Sequence, residues 1–209
     1  MSDAPSPAGP LAELSDEELL SRYRDSGQSD LFAILVRRYE RELFRYLARY
    51  LNDAALADDV FQNTFLQVHL KRALYEDGRP FRPWLYAIAT HQAVDALRKT
   101  KRRPTVSLDQ PSGLSGSETD PSSLVELLVS EGPSPLTIME REERQRIVQA
   151  AVARLPETLR QTLILAYFQS LKYREIAEIL DIPVGTVKSR LHAALAKLHE
   201  YVGAAQPEP

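Results

Sequence analysis

The chain has 209 residues, room for one large domain or two small ones, and 26 basic against 29 acidic side chains give a net charge of −3. A composition of 44% hydrophobic and 26% charged residues excludes a wholly disordered chain. With no cysteine, a disulfide scaffold, a thiolate metal site and a cysteine nucleophile are excluded as well.

The opening MSDAPSPAGP is polar and lacks the basic-then-apolar order of a secretory signal, so residues 1–14 read as a disordered tail. No apolar stretch, Thr162–Phe168 included, approaches the ~20 residues of a membrane span. The expectation is a soluble, cytoplasmic protein. From Leu14 to about Lys101 apolar residues recur at helical spacing: Leu31, Ile34 and Leu35 lead into Phe44 and Leu47, and Phe61, Phe65 and Val68 follow. Asn52 and Asp53 break the pattern between two helices. Gly78, Pro80 and Pro83, within Tyr75–Pro83, separate a helix over Asp58–Ala73 from one over Trp84–Lys99. That helix ends in Arg98, Lys99, Thr100, Lys101, Arg102 and Arg103, five cations in six positions.

From Pro104 the composition turns to Pro, Ser, Gly, Asp and Glu, which cannot bury enough apolar area to offset its ordering entropy. Charge is segregated accordingly: residues 1–103 carry 16 basic and 15 acidic side chains, residues 104–145 carry 2 and 8, and residues 146–209 carry 8 and 6. Helical patterning resumes near Leu136 and runs to Arg154. Further helices are predicted over Pro156–Gln169 with proline in the first turn, Tyr173–Leu180 and Pro183–Tyr201. The fold class is all-α, two helical domains over residues 15–103 and 139–203. A flexible acidic linker over 104–138 joins them, and a frayed tail follows from 204.

The run YREIAEILDIPVGTVKSRL, Tyr173 to Leu191, has the form of a helix-turn-helix. Small Ala177 permits close helix packing, Asp181–Pro183 supplies the turn, and Ile176, Leu180, Ile182 and Val187 are placed to share a core. At about 100° per residue, Val187, Leu191, Ala194 and Leu198 make one buried face. Ser189, His192, Ala193 and Ala196 fall opposite, flanked by Lys188 and Arg190. A helix of this kind can enter a major groove with cations on phosphates and its centre near base edges; a plain helical hairpin with a solvated basic face is the alternative. His192 and His199 lie ~10.5 Å apart along the axis, too far to share a metal ion.

Three further runs resemble region 2 of bacterial sigma factors: DDVFQNTFL at Asp58–Leu66, FRPWLYAIA at Phe81–Ala89 and DALR at Asp95–Arg98. LPETLR at Leu155–Arg160 and VGTVKSRL at Val184–Leu191 resemble region 4 of the same family. Both regions with a short linker between them resemble the extracytoplasmic-function (ECF) subfamily. The resemblance implies a non-catalytic subunit that carries core RNA polymerase to promoters, where region 2 opens the −10 element and region 4 reads the −35 element. It implies no cofactor, no metal and no small-molecule substrate. The implied partners are the clamp of the largest polymerase subunit, the flap of the second subunit, promoter DNA and an anti-sigma factor.

By the same resemblance, Asp58, Asp59, Gln62 and Phe65 dock on the clamp; from the helical spacing alone, core packing is the alternative for Phe61 and Phe65 and is favoured for Phe61. The loop over 74–83 captures a flipped −10 base, with Tyr75 and Phe81 to stack on it and Arg79 and Arg82 to hold phosphates. Core packing is the competing reading for Phe81, Trp84 and Tyr86. His91 and the cations Arg98, Lys99, Lys101, Arg102 and Arg103 complete the −10 set. Thr186, Lys188, Ser189, Arg190 and His192 form the −35 set. The family pattern is departed from at Asn63, where an acid is usual, at His91, where an asparagine is common, and at Ala193, where an arginine is common. A linker of 35 residues has a flexible span of ~33 Å. Its extended limit of ~120 Å covers the ~70 Å between elements two helical turns apart. A polymerase-independent DNA-binding regulator would leave the Asp58–Leu66 and Trp84–Arg98 motifs unexplained, and no phosphate loop, HExxH or nucleophile elbow supports an enzyme.

Overall fold

The computed structural model describes residue 11, residues 13–102 and residues 138–204. Most of the expected N-terminal tail, the linker over 104–138 short of its last residue, Arg103, and the C-terminal tail beyond 204 lie outside the described residues, as do the side chains of Lys101 and Arg102. The chain divides into two compact units, residues 1–105 and 106–209. Among the described residues all regular structure is helical.

The first unit holds α1 (Asp16–Ser26), α2 (Ser29–Leu51), α3 (Ala54–Lys71), a 3₁₀ turn (Arg72–Leu74) and α4 (Phe81–Arg102). Ser15 caps α1: its Oγ accepts from Glu18 N–H at 3.2 Å while the Glu18 carboxylate accepts from Ser15 N–H at 2.8 Å. Gly27, in the left-handed region at φ 70°, ends α1. This break between α1 and α2 divides the single helical pattern expected from Leu14 to Asn52. The Asn52–Asp53 break is as expected: Asn52 closes α2 at φ 54°, and the Asp53 carboxylate accepts from Leu56 N–H at 3.0 Å.

Along α2, Leu31, Leu35, Tyr39, Leu43, Tyr46, Leu47 and Tyr50 are buried, the stripe of a helix that packs on α1, α3 and α4. Each fully buried leucine contributes about 1.5–3 kcal/mol relative to exposure. α4 begins at Phe81 rather than Trp84, because Pro83 stands third in the helix, where its missing N–H has no helical partner to lose.

Burial pushes the phenols of Tyr39, Tyr46 and Tyr86 well above their ordinary value, and that of Tyr75 up to about 12. Neighbouring carboxylates push Tyr39 and Tyr86 in the same direction, through Asp16 and Glu42. A raised folded-state value means that these neutral phenols stabilise the unit fully below pH about 10, and that this contribution is lost as pH rises through their folded-state values. Phenolate absorbance measured beside circular dichroism checks this. The buried tyrosines should ionise only together with loss of helix, whereas reversible ionisation of all nine tyrosines in a folded chain would contradict it.

The second unit holds α5 (Ile138–Arg154), α6 (Glu157–Leu163) running into a π-helical turn (Ile164–Phe168), α7 (Tyr173–Leu180) and α8 (Val184–Gly203). Pro156 stands just outside α6 with an extended ψ of 141°, rather than inside its first turn as predicted, and Pro183 stands likewise before α8 at ψ 146°. α8 packs against α5, α6 and α7. The Arg154 guanidinium lies 4.4 Å from the Tyr201 ring centroid, bracing the ends of α5 and α8.

Candidate functional site

On α3, Ala57, Val60, Thr64 and Val68 turn inward, and Phe65 turns in beside them at 5% exposure. The expectations for the two phenylalanines are therefore exchanged. Phe65, expected on the docking face, is core, with its ring 6.0 Å from Phe32 and 5.1 Å from Phe61; Phe61, expected in the core, is half-buried. Asp58, Asp59, Gln62 and Asn63 are exposed. Gln62 Nε2 donates to Asp58 Oδ2 at 2.8 Å, and Asn63 Nδ2 donates to the Asp59 carbonyl at 2.8 Å. The amide that replaces the usual acid at 63 thus folds back on its own helix.

From Gln62 the same side of α3 continues in steps of four through Leu66 and Leu70, which are 51% and 60% exposed, and Leu74, in the 3₁₀ turn beyond, is 75% exposed. This apolar row was missed in the sequence. Its signal was the four-residue spacing of leucines beside an already sufficient inner stripe.

The loop between the 3₁₀ turn and α4 corrects three more expectations. Tyr75 is 3% exposed and Phe81 fully buried, their rings packed with Trp84 at 5.1 and 6.1 Å. Neither offers a face for stacking, because the aromatic core of the unit has taken both. Arg82 is turned to the Glu42 carboxylate, with its Nε at 3.2 Å and its guanidinium 5.2 Å from the Tyr86 ring centroid, so its charge is matched within the fold. Tyr86 donates to the same carboxylate at 2.8 Å.

Arg79 is exposed and makes no ion pair among the described residues. His91, Arg98 and Lys99 are exposed on α4. His91 and Arg98, seven residues apart, share one side of the helix, and Arg98 meets Asp95 only at 3.6 Å. Beside His91, buried Thr90 and Tyr46 share a 2.6 Å hydrogen bond that fixes the rotation of α4 against α2.

In the second unit the helix-turn-helix stands as read. Asp181, left-handed at φ 50°, closes α7, and Ile182 N–H reaches back to the Ala177 carbonyl at 3.0 Å. Val187, Leu191, Ala194 and Leu198 are buried, while Lys188, Ser189, His192 and Ala196 are exposed. Thr186, Arg190 and Ala193 are half-buried at the flanks. Ile176 and Val187 have no exposure, but Leu180 and Ile182 lie at the rim of the shared core rather than within it. Ser189 Oγ donates to the Thr186 carbonyl at 3.0 Å, so its lone pairs, not its proton, face outward. Tyr173, 44% exposed, stands between exposed Lys172 and Arg174 at the start of α7. Among the described residues no cluster of His, Asp or Glu could hold a metal, and no helix is long and apolar enough to cross a membrane.

One helical unit with an acidic row and a cationic helix, on one chain with a helix-turn-helix, defines a two-module transcription protein. The family description Sigma-70 region 2 matches residues 35–103, and Sigma-70, region 4 matches residues 145–198. The chain is 32% identical over 166 residues to the ECF RNA polymerase sigma factor SigW of Bacillus subtilis (strain 168), covering 79% of this chain and 86% of that one. It is 31% identical over 184 residues to the RNA polymerase sigma-H factor of Pseudomonas aeruginosa, covering 88% and 92%. It is 31% identical to the ECF RNA polymerase sigma-E factor of Escherichia coli (strain K12), covering 87% and 91%.

Among solved structures, the fold is similar to that of CnrH in complex with the cytosolic domain of CnrY (TM-score 0.64, 22% identity, 91% of this chain and 99% of that one). It is also similar to the sigma factor RpoE in complex with the anti-sigma factor NepR from Bartonella quintana (TM-score 0.60, 19% identity, 84% and 98%). The chain belongs to the ECF family of RNA polymerase sigma factors. It directs core RNA polymerase to promoters and initiates transcription there, with polymerase and promoter DNA as its partners.

Proposed function

We propose that the exposed row of α3, Asp58, Asp59 and Gln62 continued by Leu66 and Leu70, docks on the clamp of the largest polymerase subunit. The edge formed by Arg79, His91, Arg98 and Lys99 holds the opened −10 strand and the phosphates beside it. Lys101, Arg102 and Arg103 extend the cationic run in sequence. α8 enters the major groove of the −35 element with Lys188 and Arg190 on phosphates, and Thr186, Ser189 and His192 toward the bases, while the second unit meets the flap of the second subunit. The protein is a cytoplasmic specificity subunit with no catalysis of its own.

The observation that carries this reading is the separation, within one four-helix unit, of an acidic row on α3 from a cationic edge on α4. Paired exposed acids suit a basic protein surface and would repel DNA, whereas exposed cations, of which among the described residues Arg98 alone meets an acid, Asp95 at 3.6 Å, suit phosphate. Regulation by an anti-sigma factor is part of the same proposal, supported by the fold shared with RpoE in its complex with NepR.

In vitro transcription with purified core polymerase on a genomic fragment library tests the whole. The unmodified chain should bind core in stoichiometric amount and start transcripts. Asp59→Ala combined with Gln62→Ala should weaken core binding about tenfold at unchanged helix content. Undiminished binding would overturn the docking face. Strong duplex binding by the chain alone, with no transcription, would favour a polymerase-independent regulator.

A further inference from the structure

Three residues at i, i+4 and i+7 on one side of α1 reach the loop between α3 and α4 at its start, middle and end. Arg24 Nη1 donates to the Tyr75 carbonyl at 3.2 Å. Asp77 receives both arms of the Arg24 fork at 3.1 Å and the Ser21 hydroxyl at 2.8 Å. Glu17 Oε1 accepts from the Phe81 N–H at 2.8 Å, filling a donor at the start of α4 that the helix itself leaves unpaired. From beneath, the Tyr75 hydroxyl donates to the Arg79 carbonyl, and the turn closes through Arg79 N–H to Glu76 at 3.2 Å with Gly78 at φ 84°. The loop is thus pinned on its inner side by the aromatic core and on its outer side by α1, with Arg79 left outward.

We infer that α1 is a positioning element for strand opening: Glu17, Ser21 and Arg24 hold the 75–81 loop in its strand-binding shape before DNA arrives. The inference rests on the reading of that loop as part of the −10 edge. Each contact alone is a surface interaction of small worth to stability. Their collective effect lies elsewhere. A loop that must be ordered when it meets the strand loses affinity for the strand, and a loop already held loses none. Arg24 suits this task because its planar fork fixes Asp77 in direction as well as distance, which a lysine cannot do. None of the three α1 residues needs to touch nucleic acid.

The test uses the full chain with core polymerase and compares Arg24→Ala, Asp77→Ala and the double variant. Open-complex formation, read by permanganate reactivity of unpaired thymines, should slow about tenfold in each single variant. The double variant should be slower than either single one by less than the two losses combined, since the Arg24–Asp77 pair is common to both while Arg24–Tyr75 and Ser21–Asp77 are lost separately. Core affinity should not change, whereas a merely structural defect of the first unit would lower core affinity together with opening; binding of a duplex −35 fragment by the second unit serves as the control. Ser21→Ala, the milder change, should slow opening about two- to threefold, and Arg24→Lys should recover only part of the Arg24→Ala loss.

Variants that open promoters as fast as the unmodified chain, or losses that add in the double variant, would overturn the inference alone. An unmodified chain that binds core yet opens no promoter would overturn the reading of the loop, and the inference with it.

Discussion

Phe81→Ala is expected to destabilise the first unit by about 3–5 kcal/mol, a large part of what a domain of this size possesses. The ring is fully buried, edge-on to Tyr39 at 5.4 Å and Tyr75 at 6.4 Å, and tilted on Trp84 at 6.1 Å. Its removal leaves a cavity where α1, α2 and the loop converge, and the neighbouring aromatic rings are too rigid to fill it. Trp84 is the single tryptophan of the chain and lies in this unit, so denaturation followed by its fluorescence reports the first unit selectively. Phe81→Leu keeps most of the buried area and should cost only about 1 kcal/mol. The pair separates two roles for the ring. A core residue loses stability in the alanine variant and keeps promoter opening in the leucine variant. A base-stacking residue would keep stability in both and lose opening in both, and that result would contradict the burial described here.

Lys188→Ala combined with Arg190→Ala is expected to lower −35 binding at least about tenfold at physiological salt and to reduce the slope of log affinity against log salt by about 1.8. Both residues flank the exposed side of α8, and neither makes an ion pair among the described residues. Their charge is therefore not spent within the fold. Helix content should hold, since the buried face of Val187, Leu191, Ala194 and Leu198 is untouched. Fluorescence anisotropy of a labelled −35 duplex across a salt series provides the measurement. A slope equal to that of the unmodified chain would mean that these cations do not lie on phosphate. His192→Ala should behave differently: the salt slope stays, and the loss depends on the base sequence offered.

The helix-turn-helix was legible almost residue by residue, because its periodicity, its turn and its small packing residue are local features. The Asn52–Asp53 break was legible for the same reason: a left-handed closing residue and a capping carboxylate act within one turn of chain. The break at Gly27 escaped, because the apolar pattern on either side of it stays in phase and a lone glycine among polar residues is weak punctuation. Within the site, the exposed charges on α3, α4 and α8 could be read from sequence. Which aromatic rings were core could not. Phe61 and Phe65 both fit a helical stripe, and only the rotation of α3 against α2 and α4 decided that Phe65 turns inward.

The amino-acid sequence by itself determined the helical class, the two units with an acidic stretch between them, and the family with its promoter-directing function. These rest on periodicity, composition and short motifs, which need no knowledge of what packs on what. Tertiary structure alone decided that Tyr75 and Phe81 are buried and that Arg82 is matched by Glu42, 40 residues away. It alone brought Glu17, Ser21 and Arg24 against a loop more than 50 residues further along the chain. Such pairings depend on how far each helix is rotated about its axis when its stripe is buried, and that rotation is set by the whole core at once.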